Sequence, residues 1–402
     1  MPVLWINSIG MRRPQLSKSG DLRRIFRKLT GALRPAEWKE NKLWVLSPLV
    51  IPKAKSKVAR WINRGLIRLQ IAGELRRMGR GPVEYWCFVP NAVDLLPTGT
   101  AARETIDHRL ETLDQEKVAS TVRRPDPNIS SESKVCSLLS KVSHATRVVY
   151  YGVDDWSKYP GIDTKWVLDC ERRLLERADT VFVASRHLET RWRPVAGERV
   201  HYMPHGVWHD KFAAAVEPAI KIPNDLEALP SPRIGFYGNM YDWIDFDLLD
   251  QIAAERPHWS FVMIGPVYCD VSRLSHRANI HFLGRREPGE LPAYCKGFDA
   301  ALIPYRLSDA RMESVNPIKL RELLAAGVPV VASDIPEVRG ISKYVKIART
   351  AEEFLAALDA TLAAGYDRKA ISDERHTDDW PLKVKEIRRI VEGRPETSDS
   401  RH

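Results

Sequence analysis

Short apolar runs rich in β-branched residues alternate with amphipathic segments along most of the chain from residue 147 onward. The first series consists of RVVYYGV (147–153), a helical pattern at 165–178, TVFVAS (180–185), a short helix from about Arg186, and RVHYMP (199–204). Strands that are apolar at nearly every position are typical of parallel sheets, whose two faces are both covered by helices. The pattern therefore predicts an α/β fold with a parallel sheet.

The rhythm restarts after a proline-rich stretch at 217–233. The second series consists of RIGFYG, a helix at 246–255, SFVMIGP, IHFLG, ELPAYCKGF, AALIPY, a helix at 317–326 and VPVVAS. Two βα series separated by a linker predict two doubly wound, Rossmann-like domains. We expect the active site between them, where the carboxyl ends of strands from both sheets meet.

The predicted boundaries follow this division. One domain spans 1–205 and the other 206–377. Residues 98–146 are polar, charged and poor in aromatic residues, which is typical of an inserted, mobile loop. A closing amphipathic helix is expected at 378–393, followed by a polar tail at 394–402; one face of that helix would carry Trp380, Val384, Ile387 and Val391.

The net charge of +10 is unevenly distributed. Residues 1–80 contain 19 lysines and arginines but 4 acidic residues, a net charge of +15, so the rest of the chain carries −5. Such a basic segment favours an anionic partner, such as a lipid surface, a nucleic acid or a phosphorylated substrate. The alternative is a basic face that is merely solvated.

A helix predicted at 56–80 could meet such a surface. Apolar residues occupy one side, and Arg60, Arg64 and Arg68 recur every four residues on another; the apolar set is Trp61, Ile62, Leu66 and Leu69. The helix could lie on an anionic membrane. Alternatively, its apolar side packs on the sheet and its arginines face water.

No apolar run reaches the ~18 residues that a transmembrane helix needs. The N-terminal MPVLWINSIGMRRP lacks the pattern of a signal peptide. Five scattered cysteines suit reduced thiols in a cytosol, rather than a disulfide framework or a zinc site; they are Cys87, Cys136, Cys170, Cys269 and Cys295.

The segment ESVNPIKLRELLAAGVPVVASDIPEV (313–338) suggests a phosphate site. A helix N-terminus binds phosphate through its free N–H groups and its dipole, and Pro317 is tolerated at the first helical position. Asn316 lies just before it, and Lys319 can add a full charge. Glu322 could accept hydrogen bonds from the two hydroxyls of a ribose, although Lys319 and Glu322 are also an ordinary i, i+3 surface pair.

Strand-end glycines suggest the rest of this site. Gly238 ends RIGFYG and is followed by Asn239, and Gly284 ends IHFLG and is followed by Arg285. A side chain at either glycine would block an approaching ligand. His205, in MPHGV between the two series, could donate to a phosphate or order the hinge.

Taken together, these motifs resemble GT-B-fold glycosyltransferases, and above all bacterial enzymes that build exopolysaccharide, teichuronic-acid-type or lipid-linked glycans. The resemblance rests on FLGRREPGELPAYCKGFDAALIPY and NPIKLRELLAAGVPVVASDIPEV, and extends to RIGFYGNMYDWIDFDLLDQIAAERPHWSFVMIGPV, VHYMPHGV, VVYYGVDDW and LWVLSPLVIP. It covers nearly the whole chain except about 98–146.

The resemblance implies roles for the two domains. The C-terminal domain would grip a nucleoside-diphosphate sugar, with Lys319 on the diphosphate, Glu322 on the ribose and Gly284–Arg285 at the base. The N-terminal domain would bind the acceptor, with the turn NSIGMRRP around Gly10 lining the cleft. Many retaining members carry a second glutamate eight residues before the ribose-binding one. Here that position is Ser314, and Glu313 is off by one, which leaves the stereochemistry open.

Asp154 and Asp155, in GVDDW, follow a strand of the N-terminal domain and would face the cleft in such folds. One of them could act as the general base that activates the acceptor hydroxyl. The alternative is that an aspartate here caps a helix. The sequence DFD (245–247) has the letters of a metal-binding Asp-x-Asp motif but opens a helix, so we expect neither metal nor cofactor.

The resemblance thus implies a glycosyltransferase of the hexosyltransferase type. It would move a sugar from a uridine- or guanosine-based nucleoside diphosphate to a lipid-linked or polysaccharide acceptor in cell-surface glycan biosynthesis. We expect it in the cytoplasm, in peripheral contact with the anionic inner face of the plasma membrane, with no nucleic-acid partner. The alternatives are a sugar-nucleotide epimerase of the same fold, a non-catalytic nucleotide-sugar-binding protein and a basic nucleic-acid-binding protein. A dehydrogenase is disfavoured because no G-x-G-x-x-G follows a strand.

Overall fold

The computed structural model describes residues 3–6, 37–39, 43–46, 56–78, 83–96 and 145–393. The chain forms two compact units. The first takes in the described residues up to Phe182 together with Trp192–Val200, and the second takes in Val183–Arg191 and those from His201 onward. Gly10, Cys136, nearly all of the predicted insertion at 98–146 and the predicted tail at 394–402 lie outside the described residues.

Within the described residues, the N-terminal half contains two sheets. The first has the order β1-β3-β2, and the second has the order β4-β5-β6-β7 with β4 and β5 parallel. The strands are β1 (Val3–Ile6), β2 (Glu37–Lys39), β3 (Leu43–Leu46), β4 (Val83–Cys87), β5 (Ala145–Gly152), β6 (Thr180–Val183) and β7 (Val200–Tyr202). The helices are α1 (Lys57–Met78), α2 (Thr164–Arg177) and α3 (Arg186–Ala196).

Helix α1 is oriented opposite to the expectation that its apolar side packs on the sheet and its arginines face water, whereas its contact with a membrane stays a prediction. Arg68 is buried and donates to the carbonyl of Asp94 (2.8 Å), and Arg64 lies 3.0 Å from the Asp94 carboxylate. Arg60 reaches Asp163 (3.4 Å). The arginines therefore hold the helix to its own unit. The solvent-facing side carries apolar residues instead: Val58, Trp61 and Leu69 are 66%, 54% and 50% exposed.

The C-terminal half is built on one six-stranded sheet. Its strands are β8 (Arg233–Tyr237), β9 (Ser260–Ile264), β10 (Ile280–Gly284), β11 (Ala300–Ile303), β12 (Val330–Ser333) and β13 (Val345–Ala348). Its helices are α4 (His209–Ala213), α5 (Asn224–Glu227), α6 (Phe246–Glu255), α7 (Leu291–Lys296), α8 (Ile318–Ala325), α9 (Ala351–Ala364), α10 (Arg368–Asp373) and α11 (Trp380–Glu392).

This sheet has the order β10-β9-β8-β11-β12-β13, and all its pairs are parallel. Strands β9, β11 and β12 are buried at every residue, as their continuous apolar runs predicted. The strand order reverses between β8 and β11. In open α/β sheets the crevice at the carboxyl edge beside such a reversal is where ligands bind.

Helix α11 matches the predicted closing helix only in part on its apolar face. Ile387 and Val391 are buried, whereas Val384 is exposed. None of the described helices is both long and apolar enough to cross a membrane. The described cysteines are free thiols, three of them buried.

Candidate functional site

The N-terminus of α8 lies at the carboxyl edge of the large sheet. The helix begins at Ile318. Pro317 was predicted to be its first residue but is its N-cap (φ −75°, ψ 110°), so the helix starts one residue later than predicted. Among the described residues no side chain caps this end. Its backbone donors and the positive end of its dipole therefore remain suited to an anion.

Lys319 extends from α8 over the end of β8. Its Nζ lies 4.5 Å from the centre of the Phe236 ring and 5.4 Å from that of Tyr305. A Cβ at Gly238 would come within 2.8 Å of Nζ, and Gly238 has φ +133°. Glycine is therefore required here both by the backbone conformation and by the lysine that occupies the space of a side chain.

A further glycine was not singled out from the sequence. Gly265 follows β9 with φ +133°, and a Cβ there would collide with the carbonyl oxygen of Gly238. The Gly265 N–H donates to the carbonyl of Gly284 (2.8 Å). Gly284 also has a positive φ, +71°. Strands β8, β9 and β10 thus end in three neighbouring glycines. Because SFVMIG and RIGFYG end alike, this signal was present in the sequence. We call Gly238, Gly265 and Lys319 the cradle.

Glu322 lies beside the cradle, one turn after Lys319. The Tyr237 hydroxyl donates to its Oε2 (2.9 Å), and no hydrogen bond to Oε1 occurs within the described part of the chain. Burial raises the pKa of Glu322, while the Tyr237 hydrogen bond and the charges of Lys319 and Lys211 lower it. Tyr237 was not predicted as a site residue. Lys319 and Glu322 do not form the surface ion pair that was the alternative.

Asn316 is buried at the entry to α8. Its Nδ2 donates to the carbonyl of Ala184 (2.7 Å) and to Glu337 (3.2 Å), and its Oδ1 accepts from Arg321 (2.5 Å). These contacts fix the turn that leads into the helix. A role of Asn316 in substrate binding stays a prediction.

The predicted base-binding segment follows β10. Arg285 is exposed, 3.5 Å from the Glu287 carboxylate, and Asn239 is exposed just beyond Gly238. Both side chains are on the surface, each next to a strand-end glycine, Gly284 or Gly238. Their binding roles stay predictions.

His205 lies in the second unit, in a cationic environment. Burial, followed by the charges of Arg321 and Lys383, lowers its pKa to about 4. The imidazole is therefore neutral near pH 7 and can donate one N–H. Gly206 beside it is packed by Trp380, whose ring would lie 2.7 Å from a Cβ at that position.

The two aspartates of GVDDW have different environments in the first unit. Asp155 is buried and caps a short 3-10 helix (Trp156–Lys158), accepting from the Ser157 N–H (3.1 Å) and hydroxyl (2.5 Å). The capping alternative therefore describes Asp155. Burial and the neighbouring Asp155 charge raise the pKa of Asp154, against a hydrogen bond from Tyr159 that lowers it. Asp154 remains the candidate base.

The position eight residues before Glu322 carries no carboxylate. Ser314 is buried and its hydroxyl donates to the carbonyl of Arg311 (3.2 Å), whereas Glu313 is exposed, 3.9 Å from His187. In the DFD stretch, Asp245 caps α6 and Asp247 pairs with Arg273. Within the described ranges, no group of three or more His, Cys, Asp or Glu is placed to hold a metal ion.

Residues 231–364, which include the cradle and Glu322, match the family described as Glycosyl transferases group 1. TuaH of Bacillus subtilis (strain 168), assigned by name to teichuronic acid biosynthesis as a glycosyltransferase, is 30% identical over 238 residues. The match takes in 56% of this chain, and it spans 59% of the length of TuaH.

Two solved structures resemble nearly the whole chain. Sucrose-phosphate synthase from Thermosynechococcus elongatus has a TM-score of 0.61 at 13% identity, covering 98% of both chains. WaaG, a glycosyltransferase involved in lipopolysaccharide biosynthesis, has a TM-score of 0.56 at 13% identity, covering 97% of this chain and 100% of its own. The likenesses confirm the predicted GT-B class of α/β fold, and the family match confirms the predicted resemblance over residues 231–364.

Proposed function

We propose, from the match of residues 231–364 to the group 1 glycosyl transferases, that this chain is a glycosyltransferase of the hexosyltransferase type. It moves a sugar from a nucleoside diphosphate to a lipid-linked or polysaccharide acceptor in cell-surface glycan biosynthesis. The observation that carries the proposal is the cradle. Lys319 lies over the end of β8 at Gly238, one helical turn from Glu322, whose Oε1 has no hydrogen bond within the described part of the chain.

Each part of the donor has a matching group in this site. The diphosphate lies against the α8 N-terminus and Lys319, because both are positive and the glycines leave room for it. The ribose hydroxyls donate to Oε1 of Glu322, whose Oε2 is already used by Tyr237. The base lies at the segment Gly284–Arg285. When the bond between the sugar and the diphosphate breaks, Lys319 and the helix dipole stabilise the leaving anion.

The acceptor hydroxyl needs a base. Asp154 takes its proton as the acceptor oxygen bonds to the anomeric carbon and the diphosphate departs with the electron pair of the broken bond. General base catalysis of this kind contributes about 10²–10⁴-fold. The raised pKa of Asp154 suits the role, because a carboxylate becomes a stronger base as its pKa approaches the working pH.

A titration of the purified protein with UDP, GDP, ADP, CDP and dTDP by calorimetry tests the donor assignment. We expect one of these to bind tightly, and equally well with and without magnesium, because Lys319 and the helix N-terminus supply the positive charge. If none binds, the chain is a degenerate member of the fold. If the matching nucleotide sugar is converted to its epimer without any acceptor, the chain is an epimerase.

Membrane contact is the second part of the proposal. The protein works in the cytoplasm at the inner face of the plasma membrane, where its acceptor lies. The +15 net charge of residues 1–80 favours an anionic lipid surface. The outer face of α1, formed by Val58, Trp61 and Leu69, presents apolar side chains that can enter the headgroup region.

Replacing Val58, Trp61 and Leu69 together by serine is expected to weaken binding to phosphatidylglycerol vesicles about 10- to 100-fold, since each fully buried apolar side chain contributes about 1.5–3 kcal/mol and insertion here is partial. Vesicle co-sedimentation measures it. Trp208→Ser is the matched control, because Trp208 is equally exposed but lies in the second unit. If the triple variant and the wild type bind the vesicles equally well, α1 does not contact the membrane.

A further inference from the structure

Four side chains of the second unit form a continuous stack, which we call the aromatic column. The rings of Tyr268 and Tyr241 are stacked, with centroids 4.6 Å apart and planes inclined by 16°. Trp243 follows at 4.4 Å from Tyr241, inclined by 32°. The guanidinium carbon of Arg311 lies 4.8 Å from the Trp243 ring. The stack thus runs Tyr268, Tyr241, Trp243, Arg311.

The aromatic column lies at the same sheet edge as the cradle. The loops after β8 and β9 continue side by side, because the Met240 N–H donates to Pro266 (3.0 Å) and the Tyr268 N–H to Met240 (2.8 Å). Tyr241 comes three residues after Gly238, and Tyr268 three residues after Gly265. The column therefore stands next to the glycines of the cradle and runs from the loop after β9 to the segment after β11, where the Arg306 N–H donates to the carbonyl of Trp243 (2.8 Å).

One end of the column is fixed and the other is open. Arg311 is buried and donates to Asp309 (2.8 Å) and to Asp242 (3.1 Å). At the other end Tyr268 is 45% exposed. Because the buried guanidinium holds Trp243 and the rings hold one another, the exposed ring is ordered before any ligand arrives, which lowers the entropic cost of binding.

Carboxylates lie at both ends of the column: Asp242 pairs with Arg311 at the fixed end, and Asp270 lies at the open end. The Asp242 side chain is 66% exposed, and Asp270 is exposed two residues after Tyr268. Burial and then the negative charges of Asp242 and Asp270 raise the pKa of Cys269, against the charge of Arg273. Those carboxylates therefore act electrostatically at the residue next to Tyr268. Their charges disfavour an anionic ligand at the open end, and Asp270, which accepts from the Ser272 N–H (2.9 Å), is the one placed there to accept hydrogen bonds from hydroxyl groups of a ligand.

We propose that the aromatic column binds a neutral pyranose ring, and that this ring belongs to the glycan acceptor. The C–H face of a pyranose is apolar and packs flat on the exposed Tyr268 ring, while its hydroxyls donate to Asp270. A nucleotide or an anionic lipid headgroup fits less well, because its phosphate would meet the negative charge of the Asp270 carboxylate. The inference rests on the proposed function, for which it names the sugar-binding surface of the acceptor side.

Binding of cellotetraose, maltotetraose and tetra-N-acetylchitotetraose to the full chain, with the nucleoside diphosphate at saturation, tests the proposal. Calorimetry gives the affinities, and saturation-transfer NMR identifies the sugar protons in contact. We expect at least one tetrasaccharide to bind through its ring C–H protons, and sorbitol, which has hydroxyls but no ring, not to bind. Tyr268→Ala should weaken binding of the tetrasaccharide about five- to tenfold, and Tyr268→Phe should bind it as tightly as the wild type does.

Trp208→Ala serves as the matched control, since it removes another exposed ring from the same unit. The proposal is overturned if no tetrasaccharide binds, or if Tyr268→Ala and Trp208→Ala weaken binding alike. It is also overturned if Tyr268→Ala weakens binding of the nucleoside diphosphate, or of the transferred sugar of the donor, and leaves binding of the tetrasaccharide unchanged. If the wild type itself binds no nucleoside diphosphate, the proposed function is contradicted, whereas sugar binding by the aromatic column is not.

Discussion

Lys319→Ala is expected to weaken binding of the nucleoside diphosphate about 10- to 100-fold, because a charge-assisted hydrogen bond to phosphate contributes about 1.5–3 kcal/mol. Calorimetric titration with the diphosphate that the wild type prefers measures the loss. The affinity of the free nucleoside should hardly change, because Lys319 is expected to contact only the diphosphate. The predicted contacts of the base and the ribose are made by Gly284–Arg285 and Glu322.

Lys343→Ala is the matched control for this variant. Its Nζ lies 5.0 Å from the Tyr344 ring, so this substitution also removes a lysine packed on an aromatic ring, but away from the cradle. Each variant should lower the free energy of unfolding by about 0.5–1 kcal/mol. If Lys319→Ala binds the diphosphate as tightly as Lys343→Ala does, the diphosphate is not held by the cradle and the donor site must be sought elsewhere.

Asp154→Asn is expected to lower the turnover rate about 10²–10⁴-fold with little change in donor affinity, because an amide cannot accept the proton that the attacking hydroxyl loses. Release of the nucleoside diphosphate from the donor sugar, with water as the acceptor, provides the assay. In the wild type the rate should rise with pH through the raised pKa of Asp154, because only the ionised carboxylate acts as a base.

Asp155→Asn separates the base from its neighbour. Asparagine is also a good N-cap, so the turn at Trp156–Lys158 should persist and the maximal rate should stay near that of the wild type. Since the charge of Asp155 raises the pKa of Asp154, removing it should move the acid limb of the pH profile to lower pH. Unchanged turnover in Asp154→Asn, or a larger loss in Asp155→Asn, would contradict the assignment of the base.

The contrast between Asp154 and Asp155 shows the limit of local sequence reasoning. Their adjacency indicated that at most one could be the base, and the alternatives were a base and a helix cap. The choice depended on which carboxylate reached the Ser157 N–H, which is a matter of backbone direction after β5. The sequence contains no signal for that direction.

The binding site was predictable where its parts are close in sequence. Lys319 and Glu322 are three residues apart on one helix, and the helical repeat alone puts them on neighbouring positions. Tyr237, 85 residues before Glu322, and Asn316, which bonds to the carbonyl of Ala184, acquire their partners only through folding. Contacts of this kind depend on strand order, which the sequence pattern does not specify.

The sequence by itself determined the α/β class, the parallel strands of the C-terminal sheet and two of the glycines that end them, Gly238 and Gly284, because burial on both faces imposes continuous apolar runs and a close approach of backbones requires glycine. It did not determine which face of α1 points inward. Arg64 and Arg68 turn toward the unit because Asp94 meets them there, and three apolar side chains are left facing outward. Periodicity divides a helix into faces, but only the tertiary partners decide which face is buried.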